Sequence, residues 1–379
     1  MISKNEILST ILKAIILPSV LVLFTFSFVN TAIAGDAIDL ATAGIGARSI
    51  AMGSAYTAVA DDATAILANP AGLGFQKQWG VTNMSANLLN KVDYKVTGVV
   101  YPIEFGTIGV GYLSASTPAG YITSDKASIS SAQSISYGSN MLLLSWGKDL
   151  RLNGEAGKLS VGASVKATSS NFSGLDGSSS GTGMDLGLLY KPTENISGGV
   201  SLRNAMGSVN WKGGNQETMP KMVTVGAALN NDKGLVSMDV NLSDNKALLH
   251  GGAEYRPLDI LVIRAGVDQT AISQDDTVYN LSGGVGLNLN GFSFDYAYKQ
   301  DYSIVENATH YFSISYQPAM ESKKEVAQIP VETKGLLSRN SGNDKQIFDE
   351  VLINHPIKVI DTFSSRIENS DILQEVLVN

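Results

Sequence analysis

Phe292, Phe294, Tyr296 and Tyr298 alternate with Ser293, Asp295, Ala297 and Lys299, and this period of two recurs through residues 79–318. Strict alternation places one residue set on each face of a sheet. Leu159, Val161, Ala163, Val165 and Ala167 likewise alternate with Ser160, Gly162, Ser164 and Lys166, and Phe312, Ile314 and Tyr316 with Ser313 and Ser315. Fourteen such runs are found, at about 79–89, 94–102, 106–114, 134–147, 157–170, 183–191, 195–204, 221–230, 235–242, 247–256, 260–268, 279–289, 291–299 and 308–317. Most are near the roughly 9–11 residues with which a tilted strand crosses an outer membrane.

The N-terminus says where such strands would be used. Lys4 and Lys13 precede an apolar run from Ile15 to Val29, followed by Asn30 and Ala32-Ile33-Ala34. A basic start, a short apolar stretch and a small-x-small site predict a secretory signal peptide, residues 1–34, cut after Ala34. No later segment approaches the ~20 consecutive apolar residues of a membrane helix. A membrane protein made from the rest of this chain must therefore be a β-barrel, the other structure that satisfies its own backbone hydrogen bonds in lipid.

The connections point the same way. Glu104-Phe105, Pro192-Thr193-Glu194, Asn231-Asp232-Lys233-Gly234, Pro257-Leu258-Asp259 and Asn290 are tight, whereas Ala115 to Gln133, Asn171 to Thr182, Ala205 to Pro220 and Gln269 to Val278 read as long polar loops. Short turns on one rim and long loops on the other are the asymmetry of an outer-membrane barrel, and Asp149 to Ala156 is the exception. A β-solenoid would need a fixed short repeat, which is absent. A soluble sandwich would not explain Tyr and Phe recurring on the apolar face near strand ends.

Composition removes other classes. The chain has no Cys and three His, at 250, 310 and 355, which leaves no thiol chemistry, no Cys-ligated zinc and little for a His-rich metal site or triad. A formal charge of -8 disfavours nucleic acid as a partner. Gly177-Ser178-Ser179-Ser180-Gly181 has the letters of a nucleophile elbow but sits in a Gly/Ser-rich stretch. Gly106-Thr107-Ile108-Gly109-Val110-Gly111 has the wrong spacing for a dinucleotide fingerprint. Asp275-Asp276 reads as a solvated acidic loop. No enzyme and no cofactor is expected.

One stretch carries a family likeness. Gly46-Ala47-Arg48-Ser49-Ile50-Ala51-Met52-Gly53-Ser54-Ala55-Tyr56-Thr57-Ala58-Val59-Ala60-Asp61-Asp62-Ala63 leads into Asn69-Pro70-Ala71-Gly72-Leu73. It resembles the N-terminal signature of the PorV/PorQ group of outer-membrane proteins, relatives of the FadL-type transporters of hydrophobic compounds. Gly252-Ala253-Glu254-Tyr255-Arg256-Pro257, Ile263-Arg264-Ala265-Gly266, Asp295-Tyr296-Ala297-Tyr298 and His310 follow in the order that group uses. The likeness covers about residues 37–318 and implies an all-β fold, a transmembrane antiparallel barrel of about 14 strands with an N-terminal hatch at 35–78. Within that hatch Arg48, Asp61, Asp62, Asn69 and Pro70 are the candidate ligand or hatch residues. Asp61 and Asp62 are placed to cap a short helix through Ala68, which Asn69-Pro70 ends.

In the barrel, residues 79–318, the polar set includes Asp239, Glu254, Arg256, Arg264, Asp295 and Lys299. Charges on a lipid-facing surface cost several kcal/mol near the midplane, so these are expected to face the lumen and to pair, Glu254 with Arg264 on adjacent strands. Residues 319–379 form a charged periplasmic tail; Ile357, Ile360, Phe363 and Ile367 have helical spacing, predicting a partly helical or disordered appendage. The expected location is the bacterial outer membrane, with its lipid as a partner. The expected function is transport of hydrophobic or small solutes. The alternative is a secretion-associated shuttle or scaffold, type IX-like, whose partners are secreted or secretion-system proteins.

Overall fold

The computed structural model describes residues 39–117, 120–122, 133–150, 157–173, 177–243, 246–273, 276–303 and 307–318. The signal peptide with its Ala34 site, and the tail at 319–379, lie outside the described residues.

Among the described residues sixteen strands follow one another: β1 (Gly80–Leu88), β2 (Val92–Ile103), β3 (Gly106–Ser116), β4 (Gly120–Ile122), β5 (Gln133–Leu150), β6 (Lys158–Ser173), β7 (Gly177–Thr193), β8 (Ile196–Trp211), β9 (Gln216–Thr218), β10 (Met222–Asn231), β11 (Gly234–Ser243), β12 (Lys246–Leu258), β13 (Leu261–Ala271), β14 (Thr277–Leu289), β15 (Phe292–Asp301) and β16 (Asn307–Tyr316). Short β4 and β9 pair only with β5 and β8. The other fourteen form a continuous antiparallel ladder, with β3 beside β5 and β8 beside β10, and β16 closing it on β1 through pairs such as Met84 with Ser313. Closure removes the edges of the fourteen-stranded ladder, which a lipid environment requires.

The two faces of this wall follow the alternation. Val99, Val110, Leu142, Leu144, Val165, Val285, Leu287, Phe294, Phe312 and Ile314 are exposed on the outside, while Ser160, Ser164, Lys166, Asp295 and Ser313 are buried on the inside. Near the rim that carries the tight turns, Trp79, Phe292 and Tyr316 cluster with ring centroids 4.6 to 5.3 Å apart. An apolar band edged by aromatics, around a polar interior, makes this an outer-membrane barrel.

Two segments read as loops belong instead to the ladder. β6 runs to Ser173 and β7 begins at Gly177, so most of Asn171 to Thr182 is paired, Ser170 opposite Ser179. β8 likewise continues to Trp211, Asn210 opposite Ser180. Alternation fails there because neither face meets lipid above the membrane, so Ser, Gly and Thr keep the pairing without an apolar set.

Residues 39–78 pack against inward-facing wall residues. They contain little regular structure: helical turns at Ala47–Ala51 and Ala65–Ala68, and 3-10 turns at Leu40–Ala43 and Pro70–Phe75. Their apolar side chains, Ile50, Met52, Ile66 and Leu73, form one core with Met84, Tyr94, Val96, Leu113, Met141 and Leu143, which point inward from β1, β2, β3 and β5. The inward face of β11 to β15 is polar, with Asp239, His250, Glu254, Arg264, Asp268, Asn280 and Asp295 buried. The lumen therefore has an apolar half and a charged half.

Wall glycines admit the segment at backbone distance. A Cβ added at Gly266 would lie 2.0 Å from Gly53 N, at Gly187 2.1 Å from Asn69 Oδ1, and at Gly162 2.2 Å from the Pro70 carbonyl carbon. Gly266→Ala is expected to push the Met52–Gly53 peptide off the wall and cost about 1–3 kcal/mol as overpacking. Gly138→Ala on β5, with nothing within 4 Å of the new methyl group, should leave the heat-modification temperature on a gel unchanged. Equal behaviour of the two variants would contradict the close approach.

Candidate functional site

Arg48 projects from the first helical turn of the N-terminal segment, Ala47–Ala51, where Ser49 Oγ donates to the Gly46 carbonyl and Ser313 Oγ of β16 accepts from Ala47 N. The second turn starts later than Asp61-Asp62 suggested. Asp62 Oδ1 accepts from Thr64 N at 2.8 Å and from the Thr64 hydroxyl, which fixes the bend before Ala65. Asp61 plays no capping role and turns to Arg48. Asn69 ends that helix and caps the next turn, accepting from Ala71 N at 3.1 Å. Its amide donates to Thr57 O at 3.0 Å and to Leu188 O on β7 at 3.1 Å, while Pro70 sits against Gly162.

Arg48 is the centre of an ion cluster joining the segment to the wall. Its Nη1 lies 2.7 Å from Asp61 Oδ1 and 3.6 Å from Asp62 Oδ2, and its Nε 3.0 Å from Glu254 Oε2. Glu254 on β12 and Arg264 on β13 are opposite one another in register, with Arg264 Nε 2.7 Å from Glu254 Oε2. Arg264 Nη1 reaches Asp295 Oδ1 on β15 at 2.7 Å, and Arg256 Nη2 reaches Glu254 Oε1 at 2.6 Å. Tyr56 completes the cluster: its hydroxyl accepts from Arg48 Nη1 at 3.0 Å and donates to Asp62 Oδ2 at 2.7 Å. Burial works against the Arg48 charge, but Asp61, Tyr56, Glu254 and Asp62 outweigh it and hold the guanidinium well above the usual arginine value. Burial pushes the Tyr56 phenol well above its ordinary range; Arg48 opposes the shift, and Asp61 and Asp62 add to it.

Seven of the eleven candidate residues thus meet in one place: Arg48, Asp61, Asp62, Glu254, Arg256, Arg264 and Asp295. The other four do not. Asn69 and Pro70 lie against β6 and β7. Lys299 pairs with Asp268 at 2.9 Å. Asp239 holds the segment's backbone, its Oδ2 accepting from Tyr56 N and Thr57 N at 2.9 Å each, while its Oδ1 has no hydrogen-bond partner among the described residues.

A second buried cluster escaped sequence reading. Lys166 Nζ on β6 lies 2.9 Å from Asp185 Oδ1 on β7 and 3.4 Å from Asp39 Oδ2 of the N-terminal segment. Asn204 on β8 donates from its amide to Asp39 Oδ2 at 3.0 Å and from its backbone N–H to Asp185 Oδ1 at 2.8 Å. A bulge makes this possible: the step from Met184 to Leu186 on β7 faces the longer step from Met206 to Leu202 on β8, with Asn204 at φ 54°. The one sequence signal was a lone Lys beside a lone Asp on neighbouring polar sets. Burial works against the charge of Asp39, but Lys166 and Arg203, with the Ala41 and Asn204 hydrogen bonds, hold its carboxyl below the usual aspartate value.

Three cavities border the segment among the described residues: one of about 540 Å³ between Gly74, Lys77, Pro102 and Lys148 at the tight-turn rim, and two on its charged side. Of these two, one of about 630 Å³ opens at the tight-turn rim and is lined by the Arg48 cluster, Gln76, Lys77 and the Asn290-Gly291 turn. The other, about 360 Å³, lies toward the opposite rim between Tyr56, Arg203, His250, Asp268, Lys299 and Asp301.

Glu254→Gln leaves three guanidiniums around a neutral amide and is expected to cost about 3–5 kcal/mol, as for a broken buried ion pair. Arg256→Ala, at the open edge, should cost no more than about 1 kcal/mol; denaturant titration of the folded barrel in detergent reads both. Because the folded Asp39 value is depressed, its stabilisation is present above the unfolded value of about 3.9 and is lost as pH falls through the folded one. The stability gap between wild type and Asp39→Asn should therefore be full at neutral pH and close in acid. A gap that widens on acidification would contradict the pairing.

No family model and no curated protein matches this chain. Among solved structures it is similar to the Pseudomonas putida toluene transporter TodX, at TM-score 0.52 and 16% identity over 72% of this chain and 98% of that one. It is also similar to the CymD monoaromatic hydrocarbon channel, at TM-score 0.50 and 18% identity over 75% and 99%. A Pseudomonas aeruginosa FadL homologue aligns at TM-score 0.45 and 13% identity over 75% and 99%. At these identities the likeness is one of fold: the chain has the barrel architecture that TodX and CymD share.

Proposed function

We propose that this chain is a PorV/PorQ-like outer-membrane protein that passes hydrophobic or small solutes through its barrel, with residues 35–78 as the hatch. The observation that carries this reading is the way the lumen is filled. On the charged half, residues 39–78 are held by single hydrogen bonds and ion pairs rather than by a ladder, and a cavity lies on either side of them. The neutral bonds exchange with water at about 0.5–1.5 kcal/mol net each and the ion pairs centred on Glu254 at about 3–5 kcal/mol, so this plug can be displaced without unfolding the wall. Arg48, Asp61, Asp62, Asn69 and Pro70 are then the residues that seat the hatch, and Asp239, Glu254, Arg256, Arg264, Asp295 and Lys299 line the polar side of the path. TodX is a toluene transporter and CymD a monoaromatic hydrocarbon channel, so toluene and other monoaromatic hydrocarbons are the first solutes to try here.

Deleting the gene should slow uptake of labelled toluene or of another small solute by whole cells, and a plasmid copy should restore it. Unchanged uptake of every solute tried would refute the transport reading, and recovery of a secretion component on crosslinking would favour the shuttle.

A further inference from the structure

The two cavities on the charged side share no lining residue, yet one side chain links them. Tyr56 lines the inner 360 Å³ cavity. Its hydroxyl is bonded to Arg48 and Asp62, both of which line the 630 Å³ mouth. The residue is 1% exposed, and the Arg48 guanidinium stands 5.4 Å from the ring centroid. Its backbone N–H is pinned to Asp239 on the wall, so the main chain is fixed independently of what holds the ring. Charged groups border both: Arg48, Asp61 and Glu254 the mouth, and Arg203, Asp268 and Lys299 the other, where they stand beside Ala41, Ile45, Ala68, Met222 and Leu248. A hydrocarbon passing through both would strip water from those charged groups, a cost that the apolar neighbours of the second cavity offset only in part.

We infer that Tyr56 is the septum between the two cavities, and that the route it closes takes small hydrophilic solutes. This deepens the transport reading and rests on it, choosing between the two solute classes for this one path. Among the described residues the ring's hydroxyl is bonded to Arg48, Asp61 and Asp62, all of the N-terminal segment and all lining the mouth. Swinging it aside joins the cavities without moving a strand. The bulk of the ring keeps the path shut and its hydroxyl keeps the ring in place.

The full-length protein is placed in planar bilayers and in liposomes that report arabinose entry by swelling. Tyr56→Ala is expected to give resolved conductance steps and arabinose entry where the wild type gives neither. Tyr56→Phe, which keeps the ring but loses its latch, should give brief conductance steps and arabinose entry well below that of Tyr56→Ala; entry equal to that of Tyr56→Ala would overturn the role of the ring's bulk. Ile66→Ala, which loosens the same segment against Gly109 and Gly111 of β3, should stay shut. Because the chain has no Cys, Tyr56→Cys adds a single thiol. It should open the path, and benzyl methanethiosulfonate, by forming a mixed disulfide with release of sulfinate, should restore a ring and close it. This variant decides the matter if Tyr56→Ala does not give a heat-modifiable barrel. A shut Tyr56→Ala barrel, a Tyr56→Cys path indifferent to the reagent, or an Ile66→Ala barrel as leaky as Tyr56→Ala would overturn the septum. A leaky Tyr56→Ala with unchanged cellular uptake would retire the transport reading and leave the septum standing; lost uptake with a shut Tyr56→Ala would do the reverse.

Discussion

An irregular chain buried inside a barrel has backbone N–H and C=O groups that neither a ladder nor water satisfies, and this debt shapes the wall around residues 39–78. Side chains on the strands meet it. Ser237 Oγ donates to Ala55 O, Ser197 Oγ to Ala58 O and Ser160 Oγ to Ala71 O, at 2.6 to 2.8 Å. Asp239 takes the N–H groups of Tyr56 and Thr57, and Tyr94 donates its hydroxyl to Leu40 O and Gly44 O. His250 Nδ1 faces Gly53 O at 2.9 Å, and its Nε2 faces the Asn241 amide. A carbonyl accepts and an amide nitrogen donates, so the ring is the tautomer with hydrogen on Nδ1. Serines on the polar set, inconspicuous as sequence, are thus the partners that let a nearly helix-free segment stay buried. Glycines between them set the distance at which those bonds form.

The buried ion pairs do different work. Replacing a buried pair by apolar residues is often neutral, whereas breaking one is costly, so a cluster such as Arg48, Glu254, Arg264 and Asp295 is weak ground for stability and better ground for a fixed register. Glu254 binds Arg48 of the N-terminal segment and Arg264 of the next strand through the same Oε2 atom. A shift of the segment by one residue would take Arg48 from that oxygen while Arg264 and Arg256 stayed with Glu254, so the register of the segment here rests on the Arg48–Glu254 pair. Lys166 does the same on the other side of the lumen, where Asp39 and Asp185 share one ammonium group.

Strand positions were legible because lipid enforces them. Every outward residue of Phe292 to Tyr298 must be apolar, so the alternation in β15 is a direct record of the membrane, and the same holds for β6 up to Ala167. Beyond the membrane the record stops. Ser169 to Ser173 continue β6 with no apolar set, and a reader of hydrophobicity alone sees a loop. Within the candidate site, adjacency of Glu254 and Arg264 could be read because both lie near one tight turn, where register is short-range. The Lys166 cluster could not, because Asn204 reaches it through a bulge that alternation does not announce, and because Asp39 arrives from a segment with no period at all. The role of Gly187 or Gly266 was invisible for a related reason: period two says which face a glycine is on, but not that a backbone lies against it.

The division of the lumen decides where a path can form. On the β1 to β5 side, Ile66 and Leu73 are buried among Met84, Val96, Leu113 and Leu143. Opening that contact exposes apolar surface at roughly 25 cal/mol per Å², and it costs more the wider the gap. On the β11 to β15 side, polar bonds such as Ser237 to Ala55 and Asp239 to Tyr56 stand beside close packing of Ala51, Met52 and Gly53 on Gly284, Gly252 and Gly266, and only the polar bonds can be replaced by water one at a time. The same chain is thus held by apolar packing along one half of the barrel and by a mixture of packing and polar bonds along the other. The cavities of about 630 and 360 Å³ have linings drawn largely from that second half, Glu254, Arg264 and Asp295 at one end and His250, Asp268 and Lys299 at the other. Apolar packing holds the segment in the barrel, so on the transport reading displacement of a few polar side chains, rather than expulsion of the whole segment, is the smaller step.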